Sequence, residues 1–254
     1  MRHVATLLNR ELGAYFLGPM AYLVLLAFQV IAFLNFWELV DTLSQPQREL
    51  SSRSDPMTTY IAGSPWFWIA LLVAIPMLTM RLLAEERRSG TIETLLTLPV
   101  TETEVVVSKW LAGVMMYGVL LVPFALYLPF LYYQAKFDFD PGPMLALLIG
   151  LTTMGMMLIA IGLFLSALTR NQIVAAIWTF VVLFLMVVVV PLIFSFGLRQ
   201  HALWADGVGF VALLYQIRGF SLGQFDVRYL AIHLSVCIFV LYLTVKVLEM
   251  RTNR

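Results

Sequence analysis

Charged side chains are scarce in this 254-residue sequence, where they make up 12% of the chain. Soluble globular domains carry about 25% charged residues, and here hydrophobic residues reach 61% with a mean hydropathy of +0.89. The formal net charge of +1 argues against a nucleic-acid-binding protein, and the apolar content argues against intrinsic disorder. The composition indicates a protein that lies in the lipid bilayer.

Groups for metal binding and ATP binding are also scarce. Cys237 is the one cysteine, which excludes an intrachain disulfide and a multi-thiolate metal site in this sequence. His3, His201 and His233 share no metal-ligand spacing, so we expect no metal site, and no catalytic residue is evident. The phosphate-loop pattern Gly-x-x-x-x-Gly-Lys-Ser/Thr does not occur. We therefore expect no enzyme activity and no cofactor in this chain.

Six apolar runs are long enough to cross a membrane. A helix needs roughly 20 apolar residues to span the hydrocarbon core, and charged residues mark where each run ends. Strand-like alternation is absent, and a helix pairs its own backbone groups in lipid. The sequence predicts an all-α integral membrane protein, with residues 1–254 forming a single domain. Its six predicted spans are Met20–Trp37, Trp66–Leu83, Val105–Tyr133, Met144–Leu168, Ile173–Phe194 and Tyr229–Leu248.

The placement of Lys and Arg predicts the orientation of these spans. Six spans put both termini on one side of the membrane, and that side holds ten of the 16 basic residues. The positive-inside rule then places both termini in the cytoplasm.

The N-terminal residues 1–17 have the pattern of an amphipathic helix. Apolar residues recur at helical spacing while arginines lie on the other face, which predicts an interfacial helix along the cytoplasmic leaflet. A signal-peptide cleavage site is not evident, so we expect the helix to be retained. Gly18 and Pro19 should end it before the first span.

The outer segment 196–228 also has a helical pattern. Asp206 is a candidate N-cap for a helix from Gly207 to Arg218 that Gly219 would end. At about 1.5 Å per residue this helix is too short to cross the bilayer. We therefore predict a re-entrant or interfacial helix on the outer side, between spans 5 and 6.

The cytoplasmic segment 81–109 concentrates nine of the 31 charged residues. Its turn signals predict that the second span continues to Gly90, where a left-handed residue commonly ends a helix. Thr91 can then cap a short helix that Pro99 stops. A capping box, Thr101 to Glu104, begins the third span.

The predicted short helix is apolar on one side and carries an acidic first turn. Ile92, Leu95 and Leu96 share the apolar face, and Glu93 lies near the N-terminus, where the helix dipole favours negative charge. Such a helix is too short to span the membrane and favours packing in a protein groove. Packing under its own bundle, or in the membrane interface, is the alternative.

The string EERRSGTIETLLTLPVTETEVVVSKWLAG, residues 85–113, resembles the coupling region of type-2 ABC exporter permeases. The shared pattern is a Glu pair, a basic residue, Gly-Thr, an acidic residue, Leu-Leu and a Thr-x-Pro-Val stop. Residues 11–25 and 213–230 are similar to the GldF/NosY-like branch, which contains gliding-motility and copper-maturation permeases. The matching positions of the coupling region are Glu85, Glu86, Arg87, Gly90, Thr91, Glu93, Leu95, Leu96, Thr97, Pro99 and Val100.

The resemblance implies a mechanism for the chain and a set of partner subunits. A separate ATPase subunit, in two copies that bind ATP and Mg²⁺, would hold Ile92, Leu95 and Leu96 in a groove. Polar residues would contact the rim of that groove: Glu85, Glu86, Arg87 and Glu93. A second permease chain, identical or homologous, would complete the complex in the bacterial cytoplasmic (inner) membrane. The branch also suggests an accessory membrane protein with an extracytoplasmic domain.

A few polar residues and glycines lie within the spans. Lys109 is expected to snorkel toward the cytoplasmic interface, and His233 to be a hydrogen-bonded structural residue. Gly150, Gly155 and Gly162 give the fourth span small residues suited to close helix contact. Five further residues could line a substrate pathway or bond between helices: Gln29, Asn35, Thr152, Thr153 and Thr179.

The predicted function is that of an ABC permease subunit, which couples ATP hydrolysis to substrate export or to the transmission of conformational change. A secondary transporter would need intramembrane carboxylates and usually an internal repeat, and mid-span Asp or Glu is missing. An intramembrane hydrolase would need a buried catalytic constellation, and none is visible. A non-transporting assembly or mechanotransmission subunit stays open as an alternative.

Overall fold

The computed structural model describes residues 4–44, 58–89, 100–135, 141–199 and 205–252, and these form helices without any β-strand among them. Two short π-helical turns, Thr58–Ala62 and Leu185–Val189, accompany the α-helices. In chain order the α-helices are α1 Val4–Leu17, α2 Pro19–Ser44, α3 Pro65–Ser89, α4 Glu102–Ala135, α5 Pro141–Leu168, α6 Gln172–Phe184, α7 Val190–Arg199, α8 Ala205–Gly209, α9 Leu213–Ser221 and α10 Val227–Thr252.

Six helical segments are long and apolar enough to cross a membrane, which confirms the predicted all-α fold with six spans. The fifth span combines α6, the second π turn and α7, and the others lie within one helix each. The segments are Ala21–Asp41, Pro65–Arg87, Glu102–Tyr127, Gly142–Leu168, Gln172–Leu198 and Val227–Met250.

Local sequence signals explain where several helices begin. The predicted capping box is present at the start of α4, where the Thr101 amide donates to Glu104 Oε2 and the Glu104 amide donates to Thr101 Oγ1, each at 3.3 Å. Asn171 caps α6 by accepting the Ile173 amide at 2.9 Å. α1 ends at Leu17 and α2 begins at Pro19, because proline tolerates the first turn of a helix.

The central helix of the bundle is α5, which packs against α3, α4, α6, α9 and α10. Its predicted glycines make this possible, because a Cβ at any of the three would overlap a neighbouring side chain. The three point to different helices rather than to one: Gly150 meets the Phe220 ring of α9, Gly155 meets the Tyr117 ring of α4, and Gly162 meets Thr79 of α3.

The outer helix predicted from Gly207 to Arg218 is wrong in its bounds. Two short helices, α8 and α9, occupy this region, and Asp206 lies inside α8 instead of preceding a longer helix. Ala212 separates them with an extended backbone (φ −75°, ψ 95°). The signal for this break is Gly209, the last residue of α8, since glycine commonly marks the end of a helix.

The predicted end of the outer helix is also wrong. Gly219 lies inside α9, which continues to Ser221. Gly223, with φ +76°, supplies the left-handed residue that ends the helix. The Gln224 amide then donates to the Gly219 carbonyl at 3.1 Å, the bond of a Schellman motif. The position of α8 and α9 relative to a membrane stays a prediction.

Candidate functional site

The predicted coupling residues fall on both sides of a boundary in the described structure. Glu85, Glu86 and Arg87 occupy the last turns of α3. The remaining residues of the predicted site, Gly90, Thr91, Ile92, Glu93, Leu95, Leu96 and Pro99, lie outside the described residues. The helices on either side of that segment meet α1 at one end of the bundle, which we call the α1 end.

A cluster of four charged residues joins three helices at the α1 end. Lys109 of α4 places its Nζ 3.0 Å from Glu11 Oε1 of α1 and 2.9 Å from Glu86 Oε1 of α3. Arg10 of α1 places Nη2 3.0 Å from each of the same two oxygens. Two cations therefore face two carboxylates, and we call these residues the four-charge cluster.

The expectation that Lys109 snorkels to the membrane interface is wrong. The residue is 1% exposed and ends inside the four-charge cluster. Removing a cation from water costs several kcal/mol, and the cost is recovered only when opposite charges are close by. Glu11 and Glu86 meet that condition, with side chains 12% and 16% exposed. The buried lysine thus fixes the position of α1 against α3 and α4.

A second set of contacts continues from the cluster along α3. Arg81 Nε lies 3.2 Å from Glu85 Oε2, and its guanidinium stands 5.7 Å from the centroid of the Tyr15 ring. The Tyr15 hydroxyl donates to the Leu78 carbonyl at 2.6 Å. Burial raises the pKa of the Tyr15 phenol, so the hydroxyl keeps its proton and remains a donor. An indentation of about 350 Å³ lies between these residues and the four-charge cluster.

The end of α3 is also fastened to the end of α5. Ser166 Oγ of α5 donates to the Met80 carbonyl at 3.1 Å and accepts the Leu83 and Ala84 amides at 3.3 and 3.0 Å. Arg87 Nη1 donates to the Ala167 carbonyl one residue further along. Ser166 and Arg87 therefore hold the end of α3 against the end of α5.

The five candidate pathway residues do not meet at one place. Gln29 donates to the Tyr127 hydroxyl at 2.9 Å, and Asn35 donates to the Tyr60 carbonyl at 2.7 Å. Thr152 and Thr179 donate to carbonyls four residues back in their own helices. Their assignment to a pathway stays a prediction.

The fifth candidate, Thr153 near the middle of α5, belongs to a polar chain that runs toward the end of the bundle opposite α1. Thr153 Oγ1 lies 3.1 Å from His233 Nδ1, and His233 Nε2 lies 2.8 Å from Gln216 Oε1. The Gln216 amide nitrogen donates to the Phe210 carbonyl. His233 is 0% exposed, and its expected role as a hydrogen-bonded residue is confirmed by these contacts. The chain joins α5, α10 and α9.

A comparison of the sequence with known protein families shows which family the chain belongs to. Residues 23–205, well over half of the chain, match the family model described as ABC-2 family transporter protein. The chain belongs to this family. As a member of the ABC-2 family it is a multi-pass membrane protein and a permease subunit of an ABC transporter. A search of curated proteins finds no match.

Sequence reasoning missed three residues of the four-charge cluster. The ABC-2 match includes Glu86 and Lys109 but begins after Arg10 and Glu11, so α1 enters the site only through the structure. A signal was present in the sequence, because a lysine inside a span calls for a nearby carboxylate. Glu11 lies among the apolar residues of the predicted N-terminal helix, at helical spacing from Leu7 and Tyr15, and is an available partner.

Proposed function

We propose that this ABC-2 family permease couples ATP hydrolysis by a separate ATPase subunit to the export of a substrate, or to the transmission of conformational change across the membrane. Segment 90–99 is the proposed contact with the ATPase. This segment joins α3 to α4 in the sequence. The observation that carries the proposal is that these two helices are bound to each other and to α1 by the four-charge cluster.

The contacts at the α1 end support this mechanism because they leave α3 little freedom to move alone. Glu86 ties α3 to α4 and α1 through Lys109 and Arg10, while Ser166 and Arg87 tie α3 to α5. A displacement of segment 90–99 would therefore move several helices together. Rigid-body motion of packed elements is an established way to carry a local change over a long distance.

The complex that this function requires contains two ATPase subunits and a second permease chain, identical or homologous. ATP and Mg²⁺ would bind to the ATPase, since this chain has no phosphate loop. We place the complex in the bacterial cytoplasmic (inner) membrane, with both termini in the cytoplasm by the positive-inside rule. Membership of the GldF/NosY-like branch, an accessory membrane protein and the five pathway residues remain part of the proposal.

The test replaces the apolar face of the proposed coupling helix. The double variant Leu95→Asp and Leu96→Asp puts two charges where the ATPase groove would accept leucines. We expect the variant to insert into the membrane at the normal level and to lose co-purification with the ATPase subunit, together with transport-linked ATP hydrolysis.

A matched variant controls for the added charge. Val211 and Leu222 are exposed apolar residues near the other end of the bundle, 49% and 42% accessible. Replacing both with Asp should leave ATPase binding unchanged. Retention of the ATPase by the Leu95 and Leu96 variant, with hydrolysis intact, would overturn the coupling assignment.

A further inference from the structure

Two adjoining cavities lie at the end of the bundle opposite α1, and they differ in chemistry. One has a volume of about 1040 Å³ and lies between α7, α9 and the start of α10, with aromatic walls that include Phe194, Phe210 and Phe225. The other has a volume of about 440 Å³ and runs beside α3 and the second π turn. Tyr215 and Arg218 line both cavities, so the two meet at these residues.

The larger cavity carries positive charge that its own residues do not balance. Asp226 Oδ1 pairs with Arg228 Nε at 3.5 Å. Within the described residues no carboxylate forms an ion pair with Arg218, which is exposed. The site therefore offers one guanidinium for an anion, beside Tyr215 and Tyr229, whose rings favour the interface between lipid and water.

The smaller cavity has the character of a slot for an apolar chain. Along α3 it extends from Pro65 to Leu72, which is about 10 Å at ~1.5 Å per residue, against roughly 15 Å for half of the hydrocarbon core. Ile69 and Leu192 on its walls are 49% and 61% exposed, so the slot opens toward the surrounding lipid.

A break in the fifth span forms the other wall of the slot. Val187 and Val188 belong to the π turn, and Pro191 follows it without an amide hydrogen to donate. π-helical turns inside helices occur frequently at functional sites. The irregular backbone thus coincides with the cavity.

We propose that these joined cavities bind a membrane lipid with an anionic headgroup, whose phosphate contacts Arg218 and whose acyl chain occupies the slot beside α3. The larger cavity matches the headgroup in charge, and the slot matches the acyl chain in its apolar walls and its opening toward lipid. This inference does not depend on ATPase coupling, because it concerns binding to the permease chain alone.

The test measures lipid binding to the full-length purified chain after delipidation, by native mass spectrometry. The probes are phosphatidylglycerol, phosphatidylcholine with the same acyl chains, and glycerol phosphate without chains. Arg218→Gln should weaken phosphatidylglycerol binding about tenfold, the effect of losing one charge-assisted contact, and leave phosphatidylcholine binding unchanged. Arg218→Lys should keep most of the affinity.

Two further variants separate the headgroup from the chain. Leu192→Trp adds a ring to an exposed wall of the slot and should weaken binding of both phospholipids. Arg170→Gln removes an exposed arginine at the α1 end and should change neither.

Three results would overturn the proposal. Equal binding by the Arg218→Gln and Arg170→Gln variants would exclude the headgroup contact, and full competition by glycerol phosphate would indicate a site for free phosphate. Loss of a dimer mass in the Arg218→Gln variant, with lipid binding unchanged, would identify the surface as a contact between two permease chains.

Discussion

Replacing Lys109 by Met tests whether the four-charge cluster holds the α1 end together. The substitution keeps most of the length of the side chain and removes its charge, so Glu11 and Glu86 would share one remaining cation. That cation, Arg10, has a side chain that is 50% exposed and lies in a more polar environment than Lys109. The two carboxylates would remain largely buried beside each other.

The expected loss of stability follows from this geometry. Removing one partner of a buried ion pair costs about 3–5 kcal/mol. Since Arg10 still contacts both carboxylates, we expect the lower end, about 3 kcal/mol. For a chain of this size each kcal/mol lowers Tm by about 2–4 °C, so Tm should fall by about 6–12 °C.

Thermal unfolding in one detergent, followed by tryptophan fluorescence, measures the change. Lys246→Met is the matched control, because Lys246 pairs with Glu249 at 2.6 Å on the surface and should lose little. Adding Glu86→Gln to Lys109→Met should restore part of the loss, since it removes one of the two unbalanced carboxylates. If Lys109→Met lowers Tm no more than Lys246→Met does, the cluster does not stabilise the fold.

Two other substitutions test the contacts of α5, again by thermal unfolding. Ser166→Ala removes the hydroxyl that bonds the Met80 carbonyl and should cost about 1–3 kcal/mol, so an unchanged Tm would show that the contact contributes nothing. Gly155→Ala forces a methyl group into the Tyr117 ring and should cost about 3 kcal/mol. Gly118→Ala, where a Cβ meets nothing within 4 Å, should be neutral or stabilising by up to about 1 kcal/mol, and equal effects at both glycines would contradict the packing at Gly155.

The features that the sequence predicts well are those encoded within a few neighbouring residues. The six spans follow from runs of apolar residues, and all six are present in the structure. The capping box at Thr101 and Glu104 follows from a four-residue pattern, and both of its hydrogen bonds are found. The apolar runs are a reliable signal because a helix hydrogen-bonds its own backbone groups, as lipid requires. The capping box is reliable because its hydrogen bonds form within one turn of the helix.

The features that the sequence does not predict depend on contacts between distant residues. Lys109 lies 98 positions from Glu11, and a pattern of hydrophobic runs contains no information about which helices adjoin. Without that pairing, snorkelling was the simplest way to hydrate the ammonium group. The break at Ala212 combines both kinds of contact, because the Gln216 side chain donates to the nearby Phe210 carbonyl and is itself bonded to His233 of α10.

The distribution of burial indicates how motion would divide between the two ends of the bundle. In the apolar window of α3, 72% of the residues are buried, compared with 22% in the fifth and sixth spans. At the α1 end, α3 is joined by charge and hydrogen bonds to α1, α4 and α5. Toward the other end, the π turn at Leu185–Val189 divides α6 from α7, and α9 is a separate short helix. Because bending concentrates at such breaks, the π turn is a place where the outer part of the fifth span can change its angle. If the ATPase acts on segment 90–99 as proposed, the helices at the α1 end would move together and the fifth span would bend at the π turn.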